Sequence, residues 1–431
     1  LPAKYPTIEQ LALALKRGEL SLFQHVDACV TRLEHLDAEL CSFLPEPGRR
    51  ERLHREAEAL LRRYPDPKSR PPLFGILIGV KDLFNVEGLP TRAGSQLPPE
   101  AFSGAEADSV SLLRRAGALV LGKTVSTEFA YFSPGPTRNP KALDHSPGGS
   151  SSGSAAAVSA GLVPLALGTQ TIASITRPAS YCGVYGYKPS YGLISTAGVF
   201  PFSQAADHVG FICSSLDDIL YTAGVFIPGI RLDTGTELPR LGVVTGSYLE
   251  QADSATGAIF TATLERLEAA GFTLVRHDLF GDIDALNTAH RRLIAGEFYS
   301  NHKALFSRYG ELYSPHSREL YAFGETVSPS EQAILIKEQL ALREHITETS
   351  HRLGIDLWIS PSTTSPAPLG LQSTGSPLMS LPWTNAGVPT LSLPYDNYPD
   401  GLPFGVQLSG LFGRDGELLS AARICAARLM G

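Results

Sequence analysis

Two hydroxyl-rich stretches are where this sequence could do chemistry: Ser150-Ser151-Ser152-Gly153-Ser154 and Thr169-Gln170-Thr171-Ile172-Ala173-Ser174. A serine hydroxyl becomes a nucleophile only when a base takes its proton, and the anion it creates on a carbonyl needs aimed donors. The stretch from Gly168 to Ser174 reads as a tight polar connection after a strand, and its successive backbone N–H groups could point into one cavity and stabilise an oxyanion. For any one serine taken alone the competing reading is structural, because hydroxyls in buried loops commonly bond nearby carbonyls.

Two shorter patterns compete for attention and fail on context. Gly117-Ala118-Leu119-Val120-Leu121-Gly122-Lys123-Thr124 satisfies the phosphate-loop spacing, yet its four intervening residues are apolar strand formers and a helix precedes it. A helix capped by Gly117 and followed by a buried strand explains every position. Gly149-Ser150-Ser151-Ser152-Gly153 satisfies the nucleophile-elbow pattern, with Ser151 as its nucleophile, but Arg138 to Pro147 reads as loop where that motif needs a strand.

Composition narrows the classes. With 431 residues, 43% hydrophobic and 18% charged, the chain can bury a large core. A net charge of -7 with scattered Lys and Arg offers no basic stripe for a phosphate backbone, so no nucleic-acid partner is expected. Cys29, Cys41, Cys182, Cys213 and Cys425 are odd in number and widely spaced, which suggests neither a disulfide framework nor a metal site and fits a cytoplasmic setting. Leu1 to Gln10 lacks the charged region and apolar run of a retained signal peptide. From Ser150 to Ile175 there is no charged side chain, but the small polar and helix-breaking residues in that stretch argue for a buried enzyme centre rather than a membrane span.

The elements that would position these stretches follow from periodicity. Thr7 with Gln10 and Ser21 with Gln24 have capping-box spacing, and Val26, Cys29, Val30, Leu33 and Leu36 share one helical face. A third helix is predicted within Arg49 to Arg63, and the four prolines of Tyr64 to Pro72 make a connection into the main body. From Leu73 onward, short apolar runs between Gly and Pro alternate with helical segments, the texture of an α/β sheet protein. Examples are Ile76 to Val80, Ala118 to Leu121 and Val163 to Leu167, with helices at Ser109 to Ala116 and Ser154 to Ala160. Arg240 to Val244, a helix from Ala255 to Ala270 and Phe272 to Val275 predict a crossover unit. Asp284 to Leu353 is helical; Leu357 to Ile359 and Val406 to Leu408 are strands, and a helix closes the chain from Asp415 to Leu429.

In order, Gly79-Val80-Lys81-Asp82, Pro147 to Ala157, Gly168 to Ser174, Arg177-Pro178-Ala179-Ser180, Gly183 to Pro189, Asp207-His208-Val209-Gly210 and Gly401 to Leu408 form a long motif set. On these residues, which span most of the chain, the sequence resembles the amidase signature family. The resemblance implies Ser174 as nucleophile, Ser150 as bridging serine and Lys81 as general base. Backbone N–H groups of Thr171, Ile172, Ala173 and Ser174 would form the oxyanion hole. It implies one large α/β/α domain, 71–431, around a central mixed twisted sheet covered by helices, with N-terminal helices, 1–70, packed on it. Neither cofactor nor metal is implied. The substrate would be a small-molecule amide; separately, the acidity and size of the chain are compatible with a homodimer, and the sequence does not fix the oligomeric state.

The physics of the assignment is consistent. A lysine with its ordinary pKa of about 10.4 is protonated at neutral pH, so Lys81 must be desolvated, which its place after an apolar run allows. Two departures from the commoner family pattern stand out: Ile172-Ala173 replaces two glycines, and Gln170 replaces an aspartate. Glycine permits backbone angles that Ile and Ala resist, so either the turn uses ordinary angles or the site is altered. Tyr131, Phe132 and Trp383 are expected pocket walls, with the 284–353 segment supplying part of the pocket. Carbamates, urea-type compounds and esters are alternative substrates for the same triad. A tRNA-dependent amidotransferase glutaminase subunit, whose match Gln170 and Ile172-Ala173 weaken, and an inactive binding scaffold are further alternatives.

Overall fold

The computed structural model describes residues 6–233 and 235–429; residues 1–5 of the Leu1–Gln10 stretch lie outside them. Ten strands form one mixed sheet: β1 (Leu77–Lys81), β2 (Leu119–Thr124), β3 (Leu165–Gln170), β4 (Tyr185–Lys188), β5 (His208–Cys213), β6 (Leu241–Val244), β7 (Leu274–His277), β8 (Leu357–Pro361), β9 (Thr390–Asn397) and β10 (Pro403–Ser409). Their spatial order is β2-β1-β3-β5-β4-β9-β10-β8-β6-β7. Pairing is parallel at both ends, β2-β1-β3 and β8-β6-β7, and antiparallel through the middle. Every residue of β1, β2 and β3 is buried, as expected of strands covered on both faces.

The N-terminal helices Ile8–Arg17, Leu22–Leu40 and Arg49–Arg63 lay Ala12, Leu15, Val26, Val30 and Leu53 into the same apolar core as β1. Thr7 and Gln10 make the expected reciprocal cap, at 3.3 and 3.1 Å. Ser21 does not cap through its side chain: that helix begins on backbone bonds alone. The crossover unit is present as β6, the helix Ser254–Ala269 and β7, with β6 and β7 parallel. The 284–353 region folds as the helices Ile283–Tyr309, Pro315–Glu325 and Pro329–Leu353. Among the described residues no helix is long and apolar enough to cross a membrane.

The expected strand at Val163–Leu167 runs further than its apolar residues suggest. Gly168, Thr169 and Gln170 continue it because β5 offers an antiparallel partner, pairing Gly168 with Gly210 and Gln170 with His208. The polar connection therefore starts at Thr171. Since Val80 faces Leu167 across the parallel β1/β3 ladder, Lys81 and Thr169 emerge side by side at the carboxyl ends of two central strands. In open sheets that is where ligands are received.

The phosphate-loop pattern has the structural explanation its context predicted. Gly117 ends the helix Asp108–Arg115 at a φ of 95°, and Leu119–Thr124 is β2. Lys123 is committed to a buried ion pair, its Nζ 2.9 Å from Asp82 Oδ1, with side chains 3% and 1% exposed. Thr91 Oγ1 accepts a further bond from Lys123 at 3.0 Å. Removing one partner of such a pair strands a charge in the interior. Asp82→Ala is therefore expected to lower stability by about 3–5 kcal/mol, read as a shifted denaturant midpoint. A change under about 1 kcal/mol would show that Lys123 finds another partner.

Candidate active site

The serine-rich loop enters the helix Ser152–Ser159, and its hydroxyls divide by direction. Ser151 Oγ donates to Thr169 O at 3.3 Å, Ser152 Oγ to Val125 O at 3.3 Å, and Ser154 Oγ to Leu167 O at 2.9 Å. These three act as structural staples, as loop hydroxyls commonly do. Ser150 differs: its Oγ accepts from Lys81 Nζ at 2.7 Å. The loop is pressed against the sheet edge so closely that a Cβ on Gly153 would sit 2.2 Å from Ser42 O and 2.4 Å from Val125 N, and only glycine fits there.

Lys81 is fully buried at the end of β1 and also donates to Thr169 Oγ1 at 2.7 Å. Burial holds its pKa well below the ordinary lysine value; nearby Asp207 pulls it up and the Arg177 charge pushes it down. Asp207 is half-buried, and desolvation raises its carboxyl to about 6. It accepts from Thr171 Oγ1 at 2.6 Å and from the N–H groups of Phe202 and Ser203 at 2.8 and 3.0 Å.

The turn from Thr171 to Ser174 is held from behind. Gln170 Oε1 accepts from the N–H groups of Ile175 and Thr176 at 2.8 and 3.0 Å, and its Nε2 donates to Thr384 Oγ1 at 2.9 Å. Thr384 in turn donates to Ile172 O at 2.6 Å. His290, kept neutral by burial, places Nε2 3.1 Å from Thr171 O. Among the described residues no acceptor takes the N–H groups of Ile172, Ala173 or Ser174. Neither Ile172 nor Ala173 has a positive φ, so the turn uses ordinary backbone angles and does not need the family's two glycines.

Ser174 opens onto a small cavity whose walls include Thr171, Ile172, Tyr131 and Phe132. Ala130, Phe202, Pro377 and Arg177 complete it. The peptides of Phe129 and Ala130 sit at φ 49° and 63°, a left-handed pair of the kind that costs of order 1–3 kcal/mol per residue and turns the chain sharply just before Tyr131. The Phe129 ring, packed on Phe298, His302 and Tyr313, anchors that turn.

Trp383 is not a wall. It is fully buried in a second apolar cluster against Trp358 and Phe280, with Nε1 donating to Tyr248 Oη at 3.0 Å. Its helix, Leu381–Asn385, turns Thr384 rather than Trp383 toward the site. The 284–353 helices back the site through His290 and Phe298, while the cavity lining comes from other segments. Sequence reasoning gave no role to Thr169, Asp207, Arg177 or Phe202. The first three lay inside quoted motifs, so their positions were visible though their partners were not; Phe202 carried no signal.

A family model described as Amidase matches residues 24–419. The chain belongs to the amidase signature family. It is 31% identical to a glutamyl-tRNA(Gln) amidotransferase subunit of Thermus thermophilus over 96% of this chain and 95% of that protein. Among solved structures, an amidase matches with a TM-score of 0.88 at 30% identity, covering 98% of this chain and 100% of that one. The peptide amidase of Stenotrophomonas maltophilia matches with a TM-score of 0.83 at 26% identity, covering 100% and 98%. The protein is thus an enzyme of the amidohydrolase class, and its ten-stranded mixed sheet surrounded by helices is the amidase signature fold.

The Gln170 bonds generate a test. Gln170→Ala would orphan two buried N–H groups, each worth about 1–3 kcal/mol, and loosen the turn that carries Ser174. Turnover is expected to fall about 10²-fold with KM changed less, because misplacement of a reacting group by about 1 Å costs that much. Steady-state kinetics beside a melting curve would check it; full activity would release Gln170 from this role.

Proposed function

We propose that this enzyme hydrolyses a linear carboxamide through an acyl-enzyme on Ser174, with Ser150 relaying protons and Lys81 as the base. The observation that carries the reading is the 2.7 Å contact of Lys81 Nζ with Ser150 Oγ in a fully buried setting beside the cavity that Ser174 lines. A charged ammonium could accept no proton; a desolvated neutral amine can.

In the proposed sequence Ser174 Oγ attacks the amide carbonyl while its proton passes to Ser150, and the Ser150 proton passes to Lys81. The carbonyl oxygen becomes an oxyanion in reach of the free N–H groups of the Ile172–Ser174 turn, a preorganised dipole array. Collapse breaks the C–N bond as the relay returns a proton to the departing nitrogen, which cannot leave as an anion. Water then repeats the attack on the acyl-enzyme, giving the carboxylic acid and restoring Ser174.

Three outcomes are expected. A fluorophosphonate should form one covalent adduct, at Ser174, visible by mass spectrometry and absent in Ser174→Ala. Lys81→Ala and Ser150→Ala should each lower kcat about 10³-fold or more without unfolding the chain, as loss of a positioned proton-transfer group does. A rate within tenfold of wild type for either would reject the proton path.

The pH profile has a definite sign. Below the ordinary value of about 10.4 an unfolded chain protonates Lys81 while the folded site resists, so this lysine costs stability as pH falls toward its folded pKa. Activity is lost lower, as pH falls through the folded pKa and the base becomes protonated. kcat/KM should therefore rise with pH and reach its plateau well below about pH 10; a profile still climbing there would contradict a depressed Lys81.

A further inference from the structure

A larger cavity, of about 740 Å³, lies between segment 44–48, the helix Arg49–Arg63 and loop 88–92. It shares no lining residue with the cavity of Ser174. Small-molecule sites span roughly 300–1,000 Å³ and are mostly apolar, with a few placed polar groups. Here Leu44, Pro47, Leu89 and Pro90 supply the apolar surface. A neighbouring groove of about 590 Å³ shares Leu44, Pro45 and Arg92 with it.

The charges lining the cavity divide into committed and free. Glu46 is taken by Arg49 and Arg52, at 3.2 and 2.6 Å, and Arg52 also pairs with Glu56. Buried Lys123 is taken by Asp82. Arg55 and Arg92 are exposed, and among the described residues their guanidinium groups have no partner. Glu51 is the one lining carboxylate that is likewise free among the described residues. The balance is a single uncompensated positive charge beside an apolar surface. A ligand with an apolar body and one carboxylate complements both, since a guanidinium fork matches a carboxylate. A phosphate monoester, with a charge of roughly −1.5 to −2 at neutral pH, overshoots that balance.

The cavity walls lead to the base. Lys123 Nζ donates to Thr91 Oγ1 at 3.0 Å and to Pro90 O at 3.5 Å, and the Arg92 N–H donates to both Asp82 oxygens, at 3.3 and 3.2 Å. The Lys123–Asp82 pair thus holds loop 88–92, and Asp82 directly follows Lys81. On the other wall the Leu44 N–H donates to Lys123 O at 2.8 Å. A ligand seated between the two walls therefore pulls on the residues that fix the chain just past Lys81.

We infer that this cavity is an effector site for an amphipathic monocarboxylate, whose head is received by Arg55 and Arg92 and whose binding lowers turnover by loosening the anchor of Lys81. The kinetic half of this assignment rests on the reading of Lys81 as base; the binding half does not.

The test uses the full-length enzyme with 4-phenylbutyrate as probe. Beside it, 4-phenyl-1-butanol and 4-phenylbutylamine keep the apolar body and change only the head. Because a carboxylic acid is also the product class of the proposed reaction, calorimetry is run on enzyme whose Ser174 carries the fluorophosphonate adduct. The carboxylate should bind at one site, about tenfold or more tighter than the alcohol, the range of a hydrogen bond to a charged group, and the amine should not bind. The double variant Arg55→Gln, Arg92→Gln should weaken binding about tenfold. Its melting curve should not move, because both side chains are exposed and without partners. In unblocked enzyme the carboxylate should lower kcat about twofold or more at saturating amide, where competition at Ser174 is outrun, and the double variant should escape this.

Equal binding of carboxylate and alcohol, binding that vanishes on the Ser174 adduct, or binding indifferent to the two arginines would each overturn the site. Binding that leaves kcat unchanged would overturn the effector role. A shift of the double variant toward a smaller species in sedimentation would assign the surface to a second copy of the chain instead. If no Ser174 adduct forms, the acyl-enzyme reading fails, while the arginine variants still decide this site.

Discussion

Everything at this site depends on keeping one amine dry. Lys81 ends a strand that is buried along its whole length, and among the described residues its Nζ hydrogen-bonds only Ser150 Oγ and Thr169. Burial there disfavours the ammonium form, because water cannot reach to solvate it. The ten-stranded sheet, with parallel neighbours β2 and β3 on either side of β1 and helices over both faces, is what excludes that water. The N-terminal helices join the same core, so they too contribute to the low dielectric around Lys81.

The second constraint is the turn that follows β3. It must leave N–H groups free while staying rigid, and free donors inside a protein are costly unless something else fixes the chain. Gln170 does the fixing from one side, Thr384 and His290 from another, and Asp207 through the Thr171 hydroxyl. A neutral amide is suited to this place because it accepts and donates at once; an aspartate could only accept. Its neutrality also leaves Asp207 as the acid whose field reaches Lys81. Ile172 and Ala173 are tolerated because neither needs a positive φ, so the absence of glycine does not strain the turn.

Much of the fold was legible because buried parallel strands are continuous apolar runs, as in Ile76 to Val80 and Ala118 to Leu121. Three strands escaped assignment, His208–Cys213 among them, and the other two had weaker local signals. Tyr185–Lys188 is four residues long and contains Gly186; Thr390–Asn397 contains Pro394, which argues against a central strand. Pro394 is accommodated where the register with β10 shifts, between Phe404 and Gly405. The extension of β3 through Gly168–Gln170 is likewise a property of its partner β5 rather than of its own residues.

By itself the sequence determined the kinds of group available and their order: a lysine at the end of an apolar run, a serine cluster, a polar turn ending in serine, and family membership through their spacing. Those follow from local patterns, which need no long-range contact to be read. Tertiary structure alone decided which hydroxyl meets the amine, because Ser150, Ser151, Ser152 and Ser154 differ only in the direction the folded loop gives them. It also sent Trp383 into the core and brought Tyr131 and Phe132 to the cavity. These are relations between segments far apart in the chain, as when Arg177 reaches Gly375, and no window of sequence contains both members of such a pair.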